Sequence, residues 1–379
     1  MNATRSLITS VDLFAGVGGI RLGFEYAFNR NEESRVGMRT AFVCEKDEQA
    51  RNTYSQNFRT EVSEWGFDIC SKEVKKKIPP FDICLAGFPC QAFSNAGHRR
   101  GFEDEKKRGT LFFEVRDICR KHRPKVIFCE NVKGLFYLGK KRENGYHEIY
   151  AQIRGELEEL GYTVCETILN SADFGVPQNR ERLYIVAIRK DIEASAAVNQ
   201  VRFSFPKNNE HAVVSKQWAT SCLDEIREQG PIESKYYLSE RYLETLKKHR
   251  QKHEKLNHGF GYVVRDWNGL SGTILCSNMG RERNLVKDPN HEIPFLPPRT
   301  IKGPLNTENI RRLTPREFMR LQGFPRDFKI EGIPDTQLYK QFGNSVTVPV
   351  IESIAREIRL VLEAAGRFVE KGNRRSVAV

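Results

Sequence analysis

Short apolar runs alternate with stretches of helical periodicity over residues 1–190. Between the apolar runs, side chains such as Ile20, Phe24 and Phe28 recur every three or four positions, which predicts amphipathic helices. The runs themselves predict β-strands at residues 8–14, 40–44, 83–86, 126–129 and 183–188. Because strands that alternate with helices form βαβ units, we expect an α/β domain with a doubly wound, mostly parallel sheet.

The texture of the chain changes after residue 190. Short strand-like pieces are separated there by breaks such as Pro297-Pro298 and by the basic run LKKHRQKHEK. This pattern predicts a second, smaller and irregular domain at residues 191–334. Apolar residues return at helical spacing over residues 349–368. We therefore expect residues 1–190 and 335–379 to form the first domain together.

Composition adds an expectation about the partner. The chain has 379 residues and a formal net charge of +12, and this excess of Lys and Arg suits a polyanion such as a nucleic acid. No run approaches the ~18 apolar residues of a membrane span, and no signal-peptide pattern is present. The nine cysteines form no Cys-x-x-Cys pair and no cluster with zinc spacing. We expect a cytoplasmic protein with reduced thiols, no metal site and no membrane contact.

The glycine-rich segment DLFAGVGG, residues 12–19, follows the first predicted strand and precedes the first predicted helix. In an open parallel sheet, a nucleotide-like ligand binds there because glycines let the backbone approach closely. Arg21 stands where a dinucleotide fingerprint needs glycine, so a pyrophosphate is not expected. Glu45, after the second strand, is placed to hold ribose hydroxyls, and Asp68 to accept from an adenine amino group. The alternative is a tight turn beside two solvated carboxylates.

Cys90 differs from the other cysteines in its surroundings. It directly follows Pro89 after the predicted strand DICLA, and a polar loop rich in cations comes next. A nucleophilic cysteine needs such an exposed, electropositive place, because the thiolate is the reactive form. Glu130 ends another predicted strand at the same edge of the sheet as Cys90, where it can act as a general acid. Arg180 and Arg182 are expected to project from one face of a strand at period two, as anion binders.

These blocks resemble the DNA (cytosine-5) methyltransferases of bacterial restriction-modification systems. The resemblance covers nearly the whole chain except the middle of the second domain. It rests on eight blocks in order: residues 12–19, Glu45, Asp68, residues 87–94, residues 130–132, residues 178–182, RLTPRE with LQGFP at residues 312–325, and QFGNSV at residues 341–346. It implies the fold of S-adenosylmethionine-dependent methyltransferases and a second domain that recognises the target.

The resemblance also implies a role for each block. Cys90 would add to C6 of cytosine, Glu130 would hold the exocyclic amine and protonate N3, and Arg182 would contact the pyrimidine carbonyl. Arg180 would support Arg182. The implied cofactor is S-adenosyl-L-methionine, which leaves as S-adenosyl-L-homocysteine. The expected cofactor residues are Asp12, Phe14, Ala15, Gly16, Gly18, Gly19, Glu45, Asp68, Pro89, Asn344 and Ser345.

The implied substrate is double-stranded DNA with the target cytosine flipped out, because the chemistry cannot reach a stacked base. Thr273-Ile274 resembles the small Thr-containing signature of the family's recognition region, whose arginines contact either guanines or phosphates. The expected DNA contacts are Gln91, Ser94, His98, Arg99, Arg265, Thr273, Arg281 and Arg283. The resemblance further implies a restriction endonuclease with the same site, and we expect a monomer.

Three other functions fit parts of the pattern. A tRNA cytosine methyltransferase would share the catalytic blocks but not the long second domain with Thr273-Ile274. A nicotinamide oxidoreductase would share the α/β architecture, but Arg21 and the Pro-Cys turn count against it. A DNA-binding module without catalysis would have no need of Cys90, Glu130 and Arg182.

Overall fold

The computed structural model describes residues 5–30, 34–89, 111–207, 222–255, 261–276, 281–288 and 303–375. The chain divides into two compact units. The first comprises Met1–Asn170, Glu181–Val214 and Val348–Val379, and the second comprises Ser171–Arg180 and Ser215–Thr347. This division differs from the boundaries expected from the sequence at residues 171–180 and 335–347, which belong to the second unit, and at residues 191–214, which belong to the first. The assignment of target recognition to the second unit stays a prediction.

The described strands are short and are numbered here in chain order. They are β1 (Ser6–Leu13), β2 (Val36–Cys44), β3 (Trp65–Gly66), β4 (Ile83–Ala86), β5 (Val126–Val132), β6 (Tyr162–Asn170), β7 (Gln178–Asn179), β8 (Glu181–Arg189), β9 (Val264–Arg265), β10 (Ser271–Gly272), β11 (Leu285–Lys287) and β12 (Ile310–Arg312). The five strands expected from apolar runs correspond to β1, β2, β4, β5 and β8.

The described helices likewise follow chain order. They are α1 (Gly19–Asn29), α2 (Glu48–Asn57), α3 (Lys72–Lys77), α4 (Leu111–His122), α5 (Lys133–Phe136), α6 (Glu148–Glu159), α7 (Lys190–Val198), α8 (Glu240–Lys255), α9 (Pro315–Leu321), α10 (Asp335–Asn344) and α11 (Val348–Arg375). None of the described helices is long and apolar enough to cross a membrane.

The first unit is built on a sheet with the strand order β3-β2-β1-β4-β5-β8-β6. The pairs from β3 through β5 are parallel. In contrast, β8 runs antiparallel to both β5 and β6. The expected mostly parallel α/β sheet is confirmed. The sequence pattern missed β6, because this edge strand is largely half-buried and carries polar residues such as Glu166 inside its apolar run.

Helices cover both faces of this sheet, as a doubly wound fold requires. On one face α4 and α6 bury residues such as Phe112 and Ile153 against the strands, in a core that includes Cys84 and Cys129. On the other face Phe24 of α1 packs edge-on against Phe128 of β5. α1 also lies close to α11, since a Cβ at Gly23 would be only 2.6 Å from the Ile351 Cβ. The expected C-terminal helix therefore belongs to the core of the first unit.

The second unit is held together by a small sheet and a buried ion pair. Strands β9, β11 and β12 form the sheet, and Leu285 and Ile310 pack against α8. Arg311 is fully buried and donates from Nη1 and Nη2 to both carboxylate oxygens of Glu317, at 2.8 and 2.9 Å. Its Nε donates to Asp288 at 2.8 Å. Thr314 and Glu317 also form a capping box at the start of α9. The RLTPRE block is therefore explained by packing and capping.

We expect Glu317→Gln to lower the free energy of unfolding by about 2–4 kcal/mol, because it leaves the Arg311 charge buried beside a single carboxylate. Chemical denaturation with urea measures this loss. The matched control is Arg316→Gln, which removes a surface pair with Glu331 and should cost less than about 1 kcal/mol. Equal losses in the two variants would contradict the stabilising role of the buried pair.

Candidate catalytic and cofactor site

Several of the predicted site residues in the first unit lie where parallel strands end. Asp12 is near the end of β1, Glu45 follows β2, Pro89 lies beyond β4, and Glu130 is in the last part of β5. Since β1 lies between β2 and β4 and β5 follows β4, the carboxyl ends of these strands share one edge of the sheet. Ligands of open α/β sheets bind at this edge. We call these strand ends the rim.

The glycine loop takes a backbone conformation that ordinary residues avoid. Gly16 and Gly18 have φ values of +55° and +87°, and Phe14 adopts φ +57° although it is not glycine. A Cβ at Gly18 would overlap the Phe58 ring. The amide of Ala15 is bound to the Cys44 carbonyl at 3.1 Å. Strain at a residue such as Phe14 persists only where the surroundings hold it, and it is typical of ligand sites.

Glu45 is oriented by two backbone amides. Its Oε2 accepts from the Gly16 N–H at 2.8 Å and its Oε1 accepts from the Asp47 N–H at 2.7 Å. Each carboxylate oxygen has a second lone pair, so Glu45 can accept further hydrogen bonds without moving. The carboxylate is thereby joined to the glycine loop and to Asp47, the N-cap of α2.

Asp68 is half-buried and ionised. A hydrogen bond from the Lys46 ammonium, 2.9 Å from Oδ2, and another from the Cys70 amide, 3.0 Å from Oδ1, lower the pKa of its carboxyl. Lys46 itself is largely exposed, so it can yield its place to another donor at little cost. Asp68 is therefore an available acceptor at the edge of β3.

Asp12 is completely buried beneath the glycine loop. Its Oδ2 accepts a hydrogen bond from the Tyr54 hydroxyl at 3.2 Å, and Tyr54 in turn accepts from Arg21 Nη1 at 3.0 Å. Burial raises the pKa of the Asp12 carboxyl to about 7, although Arg21 opposes the shift. Its Oδ1 is buried with no hydrogen-bond partner among the described residues. Arg21 also pairs with Glu25 at 2.6 Å, so the residue that breaks the dinucleotide fingerprint supports the loop from below.

Glu130 and Arg182, both predicted to act in catalysis, form an ion pair at the rim. In the antiparallel register of β5 and β8, Glu130 lies opposite Tyr184 and Arg182 lies opposite Val132. The two side chains are therefore diagonal neighbours on one face. Arg182 Nε is 3.4 Å from Glu130 Oε1, and the side chains are only 13% and 11% exposed. The carboxylate is thus held by a charge partner while part of it remains open to a ligand.

Asn131 was not expected from the sequence and ties β5 to the turn after β4. Its Nδ2 donates to the Phe88 carbonyl at 3.1 Å, and its Oδ1 accepts from the Val132 amide at 2.9 Å. The bond fixes the backbone just before Pro89. The position of Asn131 directly after Glu130 was the one signal for it. Tyr54 carried no such signal, because nothing in its local sequence indicates contact with Asp12.

Arg180 does not share a strand with Arg182, so that expectation is wrong. The chain leaves β7 at Asn179 and enters β8 at Glu181, and the two strands belong to different sheets. Arg180 is 2% exposed within the second unit. Its guanidinium donates to the carbonyls of Ile274 at 3.1 Å and Ser345 at 2.6 Å. Asn344 and Ser345 also belong to the second unit, and their contribution to a cofactor pocket stays a prediction.

The described residues predicted to contact DNA form a cluster in the second unit. Arg265 Nε donates to the Arg283 carbonyl at 3.1 Å, and the Thr273 hydroxyl donates to the Asn179 carbonyl at 2.8 Å. Burial, followed by the charge of Arg283, lowers the pKa of Arg265. The Arg281 guanidinium lies 4.7 Å from the centre of the Tyr339 ring. This crowding of cations suits a polyanion.

Five predicted residues cannot be placed. Their predicted roles rest on sequence, and they lie outside the described residues: Cys90, Gln91, Ser94, His98 and Arg99.

Comparison with known proteins extends these observations. The family described as C-5 cytosine-specific DNA methylase matches residues 8–360. The chain is 45% identical over 369 residues to the type II methyltransferase M.HpaII of Haemophilus parainfluenzae, covering 97% of this chain and 92% of the relative. It is 36% identical to M1.ScrFI of Lactococcus lactis subsp. cremoris, covering 93% and 78%.

Solved structures show the same fold at low identity. The methyltransferase EhMeth of Entamoeba histolytica superposes with a TM-score of 0.66 at 20% identity, covering 93% of this chain and 98% of that one. The Dnmt2 methyltransferase of S. pombe gives a TM-score of 0.63 at 17% identity, covering 94% and 99%. The α/β fold with its second unit is therefore shared with known methyltransferases.

The buried Asp12 carboxyl should make stability depend on pH. Its pKa is about 7 in the folded chain against about 3.8 unfolded, so folding takes up a proton between these values and stability falls as pH rises through this window. We expect the wild type to lose about 2–3 kcal/mol more than Asp12→Asn between pH 5 and 7.5 in urea unfolding. Asp68→Asn, the matched control, should parallel the wild type because Asp68 is ionised throughout. Identical profiles for wild type and Asp12→Asn would refute the assignment.

Proposed function

Because the chain belongs to the C-5 cytosine-specific DNA methylases and is a DNA cytosine-5 methyltransferase of the type II restriction-modification class, we propose that its rim holds S-adenosyl-L-methionine beside a flipped-out cytosine. The observation that carries this proposal is the Glu130–Arg182 pair at the same edge of the sheet as the loop held by Glu45. The target is a cytosine in a short sequence of double-stranded DNA.

The rim residues fit the proposed cofactor. Glu45 is oriented to accept from the ribose hydroxyls, and Asp68 has the ionised oxygens that an adenine amino group needs. Phe14, Ala15, Gly16, Gly18, Gly19 and Pro89 would line the pocket, and Asn344 and Ser345 are proposed to contribute to it. Asp12 Oδ1, which has no hydrogen-bond partner among the described residues, fits a site to which a bound ligand adds a further donor. When bound, the cofactor supplies a methyl group on a positively charged sulfur, which is a strong electrophile.

The proposed chemistry makes C5 of cytosine nucleophilic. The Cys90 thiolate forms a bond to C6 while Glu130 gives a proton to N3, so that the electron pair reaches C5. Arg182 donates to the pyrimidine carbonyl and holds Glu130 in place. After C5 has gained the methyl group, a base removes the C5 proton, and the electrons that return expel Cys90 as thiolate. Arg180 was expected to support this step, but its described contacts instead suit a structural task.

The base must leave the helix for this reaction, which costs a few kcal/mol. The loop after Ser94, with His98, Arg99 and Arg100, is proposed to close over the extruded cytosine, and Gln91 and Ser94 are proposed to contact the DNA. Arg265, Thr273, Arg281 and Arg283 are proposed to contact the DNA around it. We also propose that the protein acts as a monomer on DNA in the bacterial cytoplasm, protecting the sites of a restriction endonuclease with the same specificity.

Bisulfite sequencing of DNA from cells that express the chain tests the activity and reports the target. Methyl transfer from labelled cofactor to duplex DNA and to tRNA, measured side by side, tests the substrate. Labelling of tRNA without labelling of DNA would overturn the proposed substrate.

The nucleophile has its own test. We expect Cys90→Ser to lower single-turnover methyl transfer at least about 1000-fold while S-adenosyl-L-homocysteine still binds with near wild-type affinity. The wild type should also form a stable covalent complex with DNA that carries 5-fluorocytosine, because fluorine cannot leave as a cation. Cys70→Ser is the matched control, since Cys70 is exposed and is given no part in the reaction. Substantial methylation by Cys90→Ser would sink the adduct mechanism.

Glu45 gives a prediction for cofactor binding alone. Replacing Glu45 by Gln exchanges a charged acceptor for a neutral one, so affinity for S-adenosyl-L-homocysteine should fall about 10-fold in calorimetric titration. The control is Glu48→Gln, exposed in the first turn of α2 shortly after Glu45, which should change affinity less than about 2-fold. Equal affinity in Glu45→Gln and the wild type would move the ribose site elsewhere.

A further inference from the structure

The segment at residues 271–276, called here the recognition segment, is bonded to residues 178–180, which have the sequence Gln-Asn-Arg. Its strand β10 pairs in parallel with β7, Ser271 beside Gln178 and Gly272 beside Asn179. The Ile274 amide donates to Gln178 Oε1 at 3.0 Å. With the bond from Thr273 to the Asn179 carbonyl, the segment is therefore held by main-chain and side-chain contacts over successive residues.

Arg180 completes this attachment from the interior. Its Nη1 donates to the Ile274 carbonyl at 3.1 Å and approaches the Gly343 carbonyl at 3.5 Å, while Nη2 donates to the Ser345 carbonyl at 2.6 Å. A guanidinium is a rigid planar fork of donors, so bonds to several carbonyls fix the spacing between the segments that carry them. Arg180 thus sets the distance between the recognition segment and residues 343–345.

Gly343 shows how closely the two segments approach. A Cβ at this position would overlap the backbone of Leu275 and Cys276, so only glycine fits there. Gln322 holds the other side of the same turn, since its Nε2 donates to the Phe342 carbonyl at 2.8 Å and to the Ser345 carbonyl at 3.1 Å. The recognition segment therefore packs directly on the backbone of residues 342–345, with no room for a side chain at Gly343.

The opposite side of the segment carries the predicted DNA contacts. The Gly272 amide donates to Asn284 Oδ1 at 2.7 Å. A Cβ at Gly272 would lie 2.6 Å from Arg265 Nη2, so the Arg265 guanidinium rests on the segment's backbone. Arg265 is also bonded to the Arg283 carbonyl. A displacement of the recognition segment would therefore displace Arg265 as well as Thr273.

We propose that Arg180 is a positioning residue for DNA discrimination, because it fixes the recognition segment against residues 343–345 and thereby places Thr273 and Arg265. This inference rests on the proposed function, in which the second unit reads the DNA. It separates two arginines that are two residues apart in sequence. Arg182 acts at the cytosine, and Arg180 acts through the segment that recognises the surrounding bases.

The test compares Arg180→Lys with Arg182→Lys. Lysine keeps the buried charge but offers a single point donor where arginine binds several carbonyls. Binding to a pool of random duplexes, followed by sequencing, gives the preferred duplex and the affinity ratio over duplexes that differ by one base pair. We expect Arg180→Lys to lower this ratio about 10-fold. Its single-turnover methyl transfer with saturating preferred DNA should fall much less than that of Arg182→Lys, which should keep the ratio.

Thr273→Val is the second variant, because it removes the bond from the half-buried Thr273 hydroxyl to the Asn179 carbonyl and preserves the buried arginine. It should lower the ratio about 3-fold. Wild-type discrimination in both variants, or a loss of rate in Arg180→Lys that equals Arg182→Lys with discrimination intact, would overturn the inference. Discrimination by a wild type that transfers no methyl group would refute the proposed function alone. A wild type without discrimination would refute both.

Discussion

The position of β1 between β2 and β4 is the constraint on which the proposed chemistry depends. This strand order brings the ends of β1, β2, β4 and β5 to one edge of the sheet, although up to about half of the first unit's sequence separates them. A nucleophile, a carboxylate and a nucleoside pocket can then be supplied from loops that each follow a rigid strand. The parallel direction of these strands brings together residues that are far apart in the sequence, which no local sequence could do.

Antiparallel β8 positions a further side chain, Arg182, at the same edge of the sheet. A residue at the start of β8 faces the end of β5, so Arg182 enters the site from the opposite chain direction to Glu130. Cross-strand neighbours are held by the ladder on both sides of β8, since β6 also pairs with it. The Glu130–Arg182 ion pair is therefore positioned by strands inside the sheet, where side-chain geometry is better defined than in a loop.

Sequence pattern predicted the parallel sheet well because buried strands have continuous apolar runs, and the runs of β1 and β4 are followed by turns that contain glycine or proline. The positions of Glu45 and Glu130 near strand ends also agree with the sequence pattern, and their roles stay predictions. The pattern missed β6, whose edge position leaves polar residues in the strand. It misplaced Arg180, because spacing of two is informative only within one strand, and the chain changes sheets between Asn179 and Glu181. Tyr54 had no signal because its partner Asp12 is distant in sequence, and Asn131 was indicated only by its position directly after Glu130.

The short passage from β7 to β8 has a consequence for protein engineering. Residues 178–180 fold with the second unit although they are separated along the chain from its main stretch, Ser215–Thr347. Residues 341–347 form the last part of that stretch. In a chimera between two relatives, exchange of only the middle of the second unit would place a foreign recognition segment against residues 178–180 and 341–347 of the recipient. The contacts of those residues fit a different sequence. Under the proposed function, specificity should be exchanged when the graft also carries the donor's own residues 178–180 and 341–347, because these residues contact the recognition segment.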